Sequence, residues 1–220
     1  MKSLGQTFCL GGCIIKSPAK SKLHLARLLR ADKYTAPVQI AFKEWAVVVE
    51  ALGRGGQIVI LRKGGIAEGR GGFRAEHENF WLFPTRFHQQ TEGVVEEARA
   101  GFEDYEWPPN DLLRIEFCAE VIEARRLDSL AQAQRLAGQH IWREGIIAER
   151  FDWGRDVGIY AMAVRARRLA VPVEIPMLES YGGCKSWVEL EAALEFAGTE
   201  PVLAAADFDL KLRGFREALA

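Results

Sequence analysis

Between Arg62 and Gln90 the chain reads RKGGIAEGRGGFRAEHENFWLFPTRFHQQ, the densest collection of chemically capable side chains in the sequence. Glu76, His77, Glu78 and His88 offer carboxylates and imidazoles, the ligand types suited to a zinc- or manganese-type ion. On an extended backbone Glu76 and Glu78 share one side and His77 takes the other. His88 lies beyond the Phe-Pro-Thr turn and would have to fold back to join them. Their spacing matches no H-E-x-x-H or Cys/His pattern, so a divalent metal and hydrolytic chemistry form the alternative expectation, with no cofactor as the primary one. The glycines suit close approach to phosphate. Yet the stretch holds neither G-x-x-x-x-G-K-[ST] nor G-x-G-x-x-G. A Nudix-type frame through Gly72, Glu78 and Arg86 fails because Phe87 stands where a glutamate is required. The third chemistry is a nucleic-acid grip. Arg62, Lys63, Arg70, Arg74 and Arg86 would neutralise phosphates, and Trp81 would give a base a stacking surface. Arg150, Phe151 and Trp153 add a second basic-aromatic group. Elsewhere, Cys184 follows two glycines and precedes Lys185 and an expected helix start, a position that activates a thiol. No histidine lies near it in sequence to act as base.

These residues must be positioned by the elements around them. AVVVEAL and QIVILRK are β-rich runs separated by GRGG, which reads as a hairpin over 45–52 and 57–63, with Ala41–Trp45 a helical turn before it. The hairpin delivers Arg62 and Lys63 to a strand end. NFWLFPT reads as a buried strand, HQQTEGVVEEARAGF as a helix, and LLRIEFCAEVIEARRL and GIYAMAVRARRLAVPVEIP as strands. SLAQAQRLAGQHIW reads as a helix capped by Ser129. KSWVELEAALEFAG reads as another, with Ser186 as N-cap, Glu189 as its capping-box partner and Gly198 at the C-terminus. The chain then ends in a helix. Strands and helices are mixed without regular alternation. The expected class is α+β, with a mainly antiparallel small sheet or partial barrel and flanking helices. It looks like PUA-type folds by analogy.

Composition bounds the rest. The chain has 220 residues, 27% of them charged, and no apolar run near the ~18 residues that span a bilayer. Four scattered cysteines supply no disulfide framework, so a cytoplasmic setting and no membrane partner are expected. Residues 1–38 read as a flexible basic extension and 39–220 as a single domain. Residues 1–33 carry seven basic side chains and one acid, which leaves 34–220 with a net charge of −7. A body this acidic is not a general phosphate-binding surface, so any nucleic-acid contact needs a local basic patch.

FKEWAVVVEAL, IVILRKGGI, EHENFWLFPTRFHQ, IAERF and YGGCKSWVEL together resemble the bacterial domain-of-unknown-function family eighteen-oh-two, over about residues 40–190. The family has no established activity. Some relatives are similar in being linked to restriction-endonuclease domains. The resemblance therefore implies a restriction-modification setting, with DNA or RNA and a restriction-system protein as partners. No endonuclease core is visible here, since no acid stands two residues before Lys63. The leading expectation is a nucleic-acid reader. The alternatives are the metal-dependent hydrolase and a non-catalytic interaction scaffold.

Overall fold

The structure is a computed structural model that describes residues 37–63, 75–86, 92–100, 102–153 and 157–220. Of the extension expected over 1–38, residues 1–36 lie outside the described residues, as do Arg70, Arg74 and His88, while Pro37 and Val38 open the first strand. In chain order the elements are β1 (Pro37–Trp45), α1 (Ala46–Gly53), β2 (Val59–Arg62), β3 (Asn79–Thr85), α2 (Glu96–Ala100), β4 (Leu112–Leu127), α3 (Leu130–Gln134), α4 (Glu144–Asp152), β5 (Ile159–Pro176), β6 (Trp187–Glu195), β7 (Glu200–Pro201) and α5 (Ala205–Ala218), with a 3-10 turn at Glu179–Tyr181. The class is α+β, as expected.

One sheet runs β2-β5-β4-β3-β1-β6, with β7 added beside β5. All its pairings are antiparallel except β1 with β3. The long β4 and β5 lose register between Ile115 and Phe117 and again between Val121 and Glu123. Such irregularities bend a strand and raise its twist. The sheet curls until the end of β2 meets the start of β6, where the Arg62 Nε donates to Ser186 Oγ at 2.9 Å. The partial barrel is thus joined by side chains where no backbone ladder links its two outer strands.

Several stretches depart from the sequence expectation. The anticipated hairpin is not formed, because 46–53 is helical. Ala46, Val47, Val48, Val49 and Leu52 are all buried, so α1 is an internal helix whose packing overrides the β preference of its valines. The GRGG segment closes that helix. Gly55 takes a positive φ of 72° and its N–H donates to Leu52 O at 3.1 Å, a C-terminal cap rather than a hairpin turn. Ala41–Trp45, expected as a helical turn, belongs to β1. The anticipated helix at Ser186 is β6, where Val188 and Leu190 are buried and Glu189 and Glu191 are exposed. That alternation is strand periodicity, and it removes the helix N-terminus proposed to activate Cys184.

Neighbouring residues on the strands feed two cores on opposite faces. Phe42 and Phe80 join Ile60, Phe117 and Met162 beneath α1 and α5. Ala41 and Trp81 join Phe83, Ile115, Leu190 and Phe196 on the other side. Pro84 is tolerated in β3 because β4 pairs only with Asn79–Trp81, leaving that side of Pro84 without a ladder to donate to. Gly53 ends α1 directly against Phe117, where a Cβ would fall 2.3 Å from the ring carbon Cζ. Gly53→Ala is expected to cost about 1–3 kcal/mol through overpacking, read as a lowered denaturant midpoint at unchanged slope.

His140 sits between α3 and α4 and gives the fold a pH dependence. Burial pulls its imidazole down from 6.5 to about 4, only partly opposed by the backbone amides of His140 and Trp142. The unfolded chain then binds this proton more readily than the folded one. Stability contributed by neutral His140 is present above about pH 6.5 and is lost as pH falls towards 4. His140→Phe is expected to flatten that part of a thermal-midpoint profile.

Candidate functional site

Four strand ends and one helix end converge at the β2–β6 junction. The parallel pairing of β1 with β3 sets Trp45 opposite Thr85 and Glu44 opposite Pro84. Thr85 Oγ1 donates to Glu44 O at 3.0 Å, which fixes the exit of both strands. β2 brings Arg62 and Lys63, the start of β6 brings Ser186 and Trp187, and α4 brings Arg150 and Phe151.

Arg62 is half-buried. Besides its bond to Ser186, its guanidinium lies 5.2 Å from the centre of the Phe42 ring. Trp187 packs on Phe42 at 4.8 Å and on Phe80 at 5.1 Å, so the floor beneath Arg62 is aromatic. Lys63 Nζ donates to Phe151 O at 2.6 Å and so ties the end of β2 to α4. Arg150 lies 4.1 Å from the Trp142 ring and 4.6 Å from the Trp45 ring, two indoles that meet edge to face at 4.6 Å. Cation–π contacts of this kind contribute about 0.5–2 kcal/mol each. They supply no hydrogen-bond acceptor, and among the described residues Arg150 has no hydrogen-bonded or ion-paired partner. Burial holds its pKa below the ordinary guanidinium value; Glu44 opposes this and Arg62 adds to it. Glu44 is 1% exposed, and its Oε1 accepts from Trp45 N at 2.8 Å. Its Oε2 has no partner among the described residues. The arrangement therefore presents two guanidiniums near one another over aromatic rings, with, among the described residues, the Glu44 carboxylate in electrostatic reach. Chemically it is an acceptor-seeking cationic recess.

The sequence-derived candidates distribute unevenly about this recess. Arg62 and Lys63 are in it. His77 stands beside it, its ring edge-on to Trp187 at 5.0 Å, while Glu76 and Glu78 are exposed. Among the described residues, no three His, Cys, Asp or Glu side chains are placed to hold a metal ion together. Trp81 is a correction: it is 0% exposed, donates its indole N–H to Val38 O at 2.8 Å and packs on Phe196, so its ring is not offered to a base. Arg86 is also elsewhere. It lies 4.7 Å over the Trp107 ring and donates to Asn110 Oδ1 and Pro108 O. Cys184 is exposed and Lys185 Nζ donates to Ser180 O at 2.6 Å. Cys118 is buried and its thiol is pushed up to about 12.

The residues that sequence reasoning gave no place in the site are Glu44, Trp45, Trp142 and Ser186. Arg150 was singled out only as part of a second basic group. A signal existed: FKEW, IAERF and YGGCKSW, all among the segments that carry the family resemblance, are the ones the fold gathers here.

Comparison with known proteins places the chain in a family without assigning it an activity. Residues 41–213 match the model described as domain of unknown function (DUF1802), and the chain belongs to that family. No curated protein matches it. Among solved structures it is similar to the ASCH of Zymomonas mobilis, at 12% identity and a TM-score of 0.41, covering 79% of this chain and 92% of that chain. Two single-residue mutants of the same protein give 12% and 13% identity, with TM-scores of 0.40 and 0.41. They cover 79% and 80% of this chain and 95% and 96% of those chains. The restriction-modification setting finds no support in these matches. Among the described residues, no helix is long and apolar enough to cross a membrane.

Proposed function

We propose that this DUF1802 member binds nucleic acid through the recess at the β2–β6 junction. Backbone phosphate would accept hydrogen bonds from Arg62 and Arg150, and Lys63 would add positive charge beside them. The observation that carries the reading is the Arg150 guanidinium, held between Trp45 and Trp142 with no acceptor among the described residues and a second guanidinium nearby. Like charges held together in a partly desolvated place are unfavourable until an anion arrives. A guanidinium is suited to the paired oxygens of a phosphodiester. The half-buried Trp45 beside it gives a base an aromatic edge to lie against.

The net charge of −7 over residues 34–220 works against general phosphate attraction, and arginines elsewhere are already engaged. Arg114 pairs with Glu174, Arg125 and Arg216 with Glu123, and Arg126 with Asp128. Arg167 donates to Thr199 Oγ1 at 2.8 Å and Arg168 to Gly53 O at 2.8 Å. Phosphate contact is thereby focused on a small patch, and modest, salt-sensitive affinity is the expected form of binding. The test is electrophoretic binding of the full chain to single-stranded RNA, single-stranded DNA and duplex DNA at low and high salt. Binding that is weakened by salt supports the reading. Failure to bind all three at low salt would leave the interaction scaffold as the better account.

A further inference from the structure

A second recess lies away from Arg150, between the ends of β1 and β3, the 107–114 segment and the 3-10 turn. It has a volume of about 390 Å³. Its walls are largely apolar, with Phe83, Trp107, Leu113 and Tyr181 prominent, and three cations line it: Lys43, Arg86 and Arg114. No acidic side chain lines it among the described residues, in a body that is acidic overall. The three cations are not equivalent. Arg114 is neutralised by Glu174, whose Oε1 accepts from Nε at 3.0 Å and from Nη2 at 2.9 Å. Lys43 donates only to neutral acceptors, Tyr181 O at 2.9 Å and Gly183 O at 2.8 Å. Arg86 likewise donates to a side-chain amide and a backbone carbonyl, and a planar guanidinium with five N–H donors keeps others to spare. Among the described residues, two positive charges in this recess therefore have no acidic partner, and both are tethered. Arg86 lies on Trp107, and Lys43 is 5.9 Å from the Phe83 ring while tethering the 181–183 turn.

We infer that this recess binds a small phosphomonoester carried on an apolar or aromatic body of nucleoside size. A phosphomonoester carries about −1.5 to −2 charge at neutral pH, which matches these two cations. Its terminal oxygens take charge-assisted hydrogen bonds from an ammonium or a guanidinium. The volume falls within the range of about 300–1,000 Å³ typical of small-molecule sites, which are mostly apolar with a few fixed polar groups. Burial lowers the Lys43 pKa, and Lys185 and Arg62 lower it further. A bound dianion would relieve that repulsion, so the ammonium gains in the complex what it lacks without ligand.

Titration calorimetry of the full chain with adenosine 5′-monophosphate, adenosine and inorganic phosphate tests this. The nucleotide is expected to bind. Adenosine and phosphate alone are each expected to bind at least about tenfold more weakly, because neither joins the charge to the apolar wall. Arg86→Gln, at an exposed position, is expected to weaken the nucleotide about tenfold or more through loss of a charge-assisted contact. Lys43→Met is expected to do the same, with circular dichroism checking that the 181–183 turn still folds. Arg213→Gln, at an exposed position of α5 that lines neither recess, should leave nucleotide binding unchanged. The inference is overturned if the nucleotide does not bind at millimolar concentration, if Arg86→Gln binds it as tightly as the parent chain, or if phosphate alone binds as tightly as the nucleotide.

Discussion

Replacing Arg62 and Arg150 together with glutamine is expected to weaken nucleic-acid binding by about 100-fold or more at low salt. Each guanidinium is assigned at least one hydrogen bond to a charged phosphate oxygen, and such bonds contribute about 1.5–3 kcal/mol. The double substitution should also flatten the salt dependence. On a single strand each neutralised phosphate contributes about −0.7 to the slope of log affinity against log salt, so losing two should reduce the slope by about 1.4. Glutamine is shorter but places its amide nitrogen where Arg62 Nε stands, which keeps a donor near Ser186 Oγ and limits damage at the β2–β6 junction. Lys63→Gln is expected to do less, since Lys63 Nζ is already bonded to Phe151 O. Fluorescence anisotropy over a salt series reads affinity and slope in one experiment. An unchanged slope in the double variant would mean that the phosphates are neutralised elsewhere, and the recess would lose its assigned role. Equal losses for Lys63→Gln would instead point to a diffuse field without a built site.

The sequence made the strands of the middle of the chain legible because their pattern is local. NFWLFPT, LLRIEFCAEVIEARRL and the strand beginning at Ile159 carry β-branched and aromatic residues, and they form β3, β4 and β5. The Ser129 cap was equally local: Ser129 Oγ accepts from Gln132 N while the Gln132 side chain accepts in return, a complete capping box. α1 and β6 were misread for opposite reasons. In α1, burial on all sides hid the helical period and left only the β preference of Val47, Val48 and Val49. In β6, the helix-favouring Glu, Ala and Leu outweighed a period-two alternation that was present throughout. Both are cases in which tertiary packing overrides propensity.

The site was legible only in part, because its logic is topological. Arg62 and Lys63 were found because a strand end announces itself. Arg150 meets them only because the sheet curls, and Glu44 and Trp45 only because β1 runs parallel to β3. Nothing in the spacing between residues 44, 62, 150 and 186 encodes that meeting. Composition near the glycines points to Glu76, His77, Glu78 and Trp81 instead. His77 joins the edge of the aromatic floor, and Trp81 points to the opposite core.

Trp81 and Trp45 should accordingly part company when mutated. Trp81→Ala is expected to cost about 3–5 kcal/mol of stability, the range for emptying a large buried aromatic site. The loss combines the void against Phe196 with the hydrogen bond from the indole N–H to the Val38 carbonyl. A destabilisation of that size can unfold the chain outright, so Trp81→Phe is the companion variant; it keeps most of the volume and loses mainly the hydrogen bond, about 0.5–1.5 kcal/mol. Neither change should alter nucleic-acid affinity once corrected for the folded fraction, because a ring with 0% exposure meets no ligand. Trp45→Ala should show the reverse balance. It removes one of the two faces that hold Arg150, so affinity falls. Its cost in stability is smaller than that of Trp81→Ala, because Trp45 is only half-buried. If Trp81→Phe lowered affinity while Trp45→Ala did not, the aromatic contribution to binding would lie on the Phe196 face of the sheet, and the recess at the β2–β6 junction would be structural.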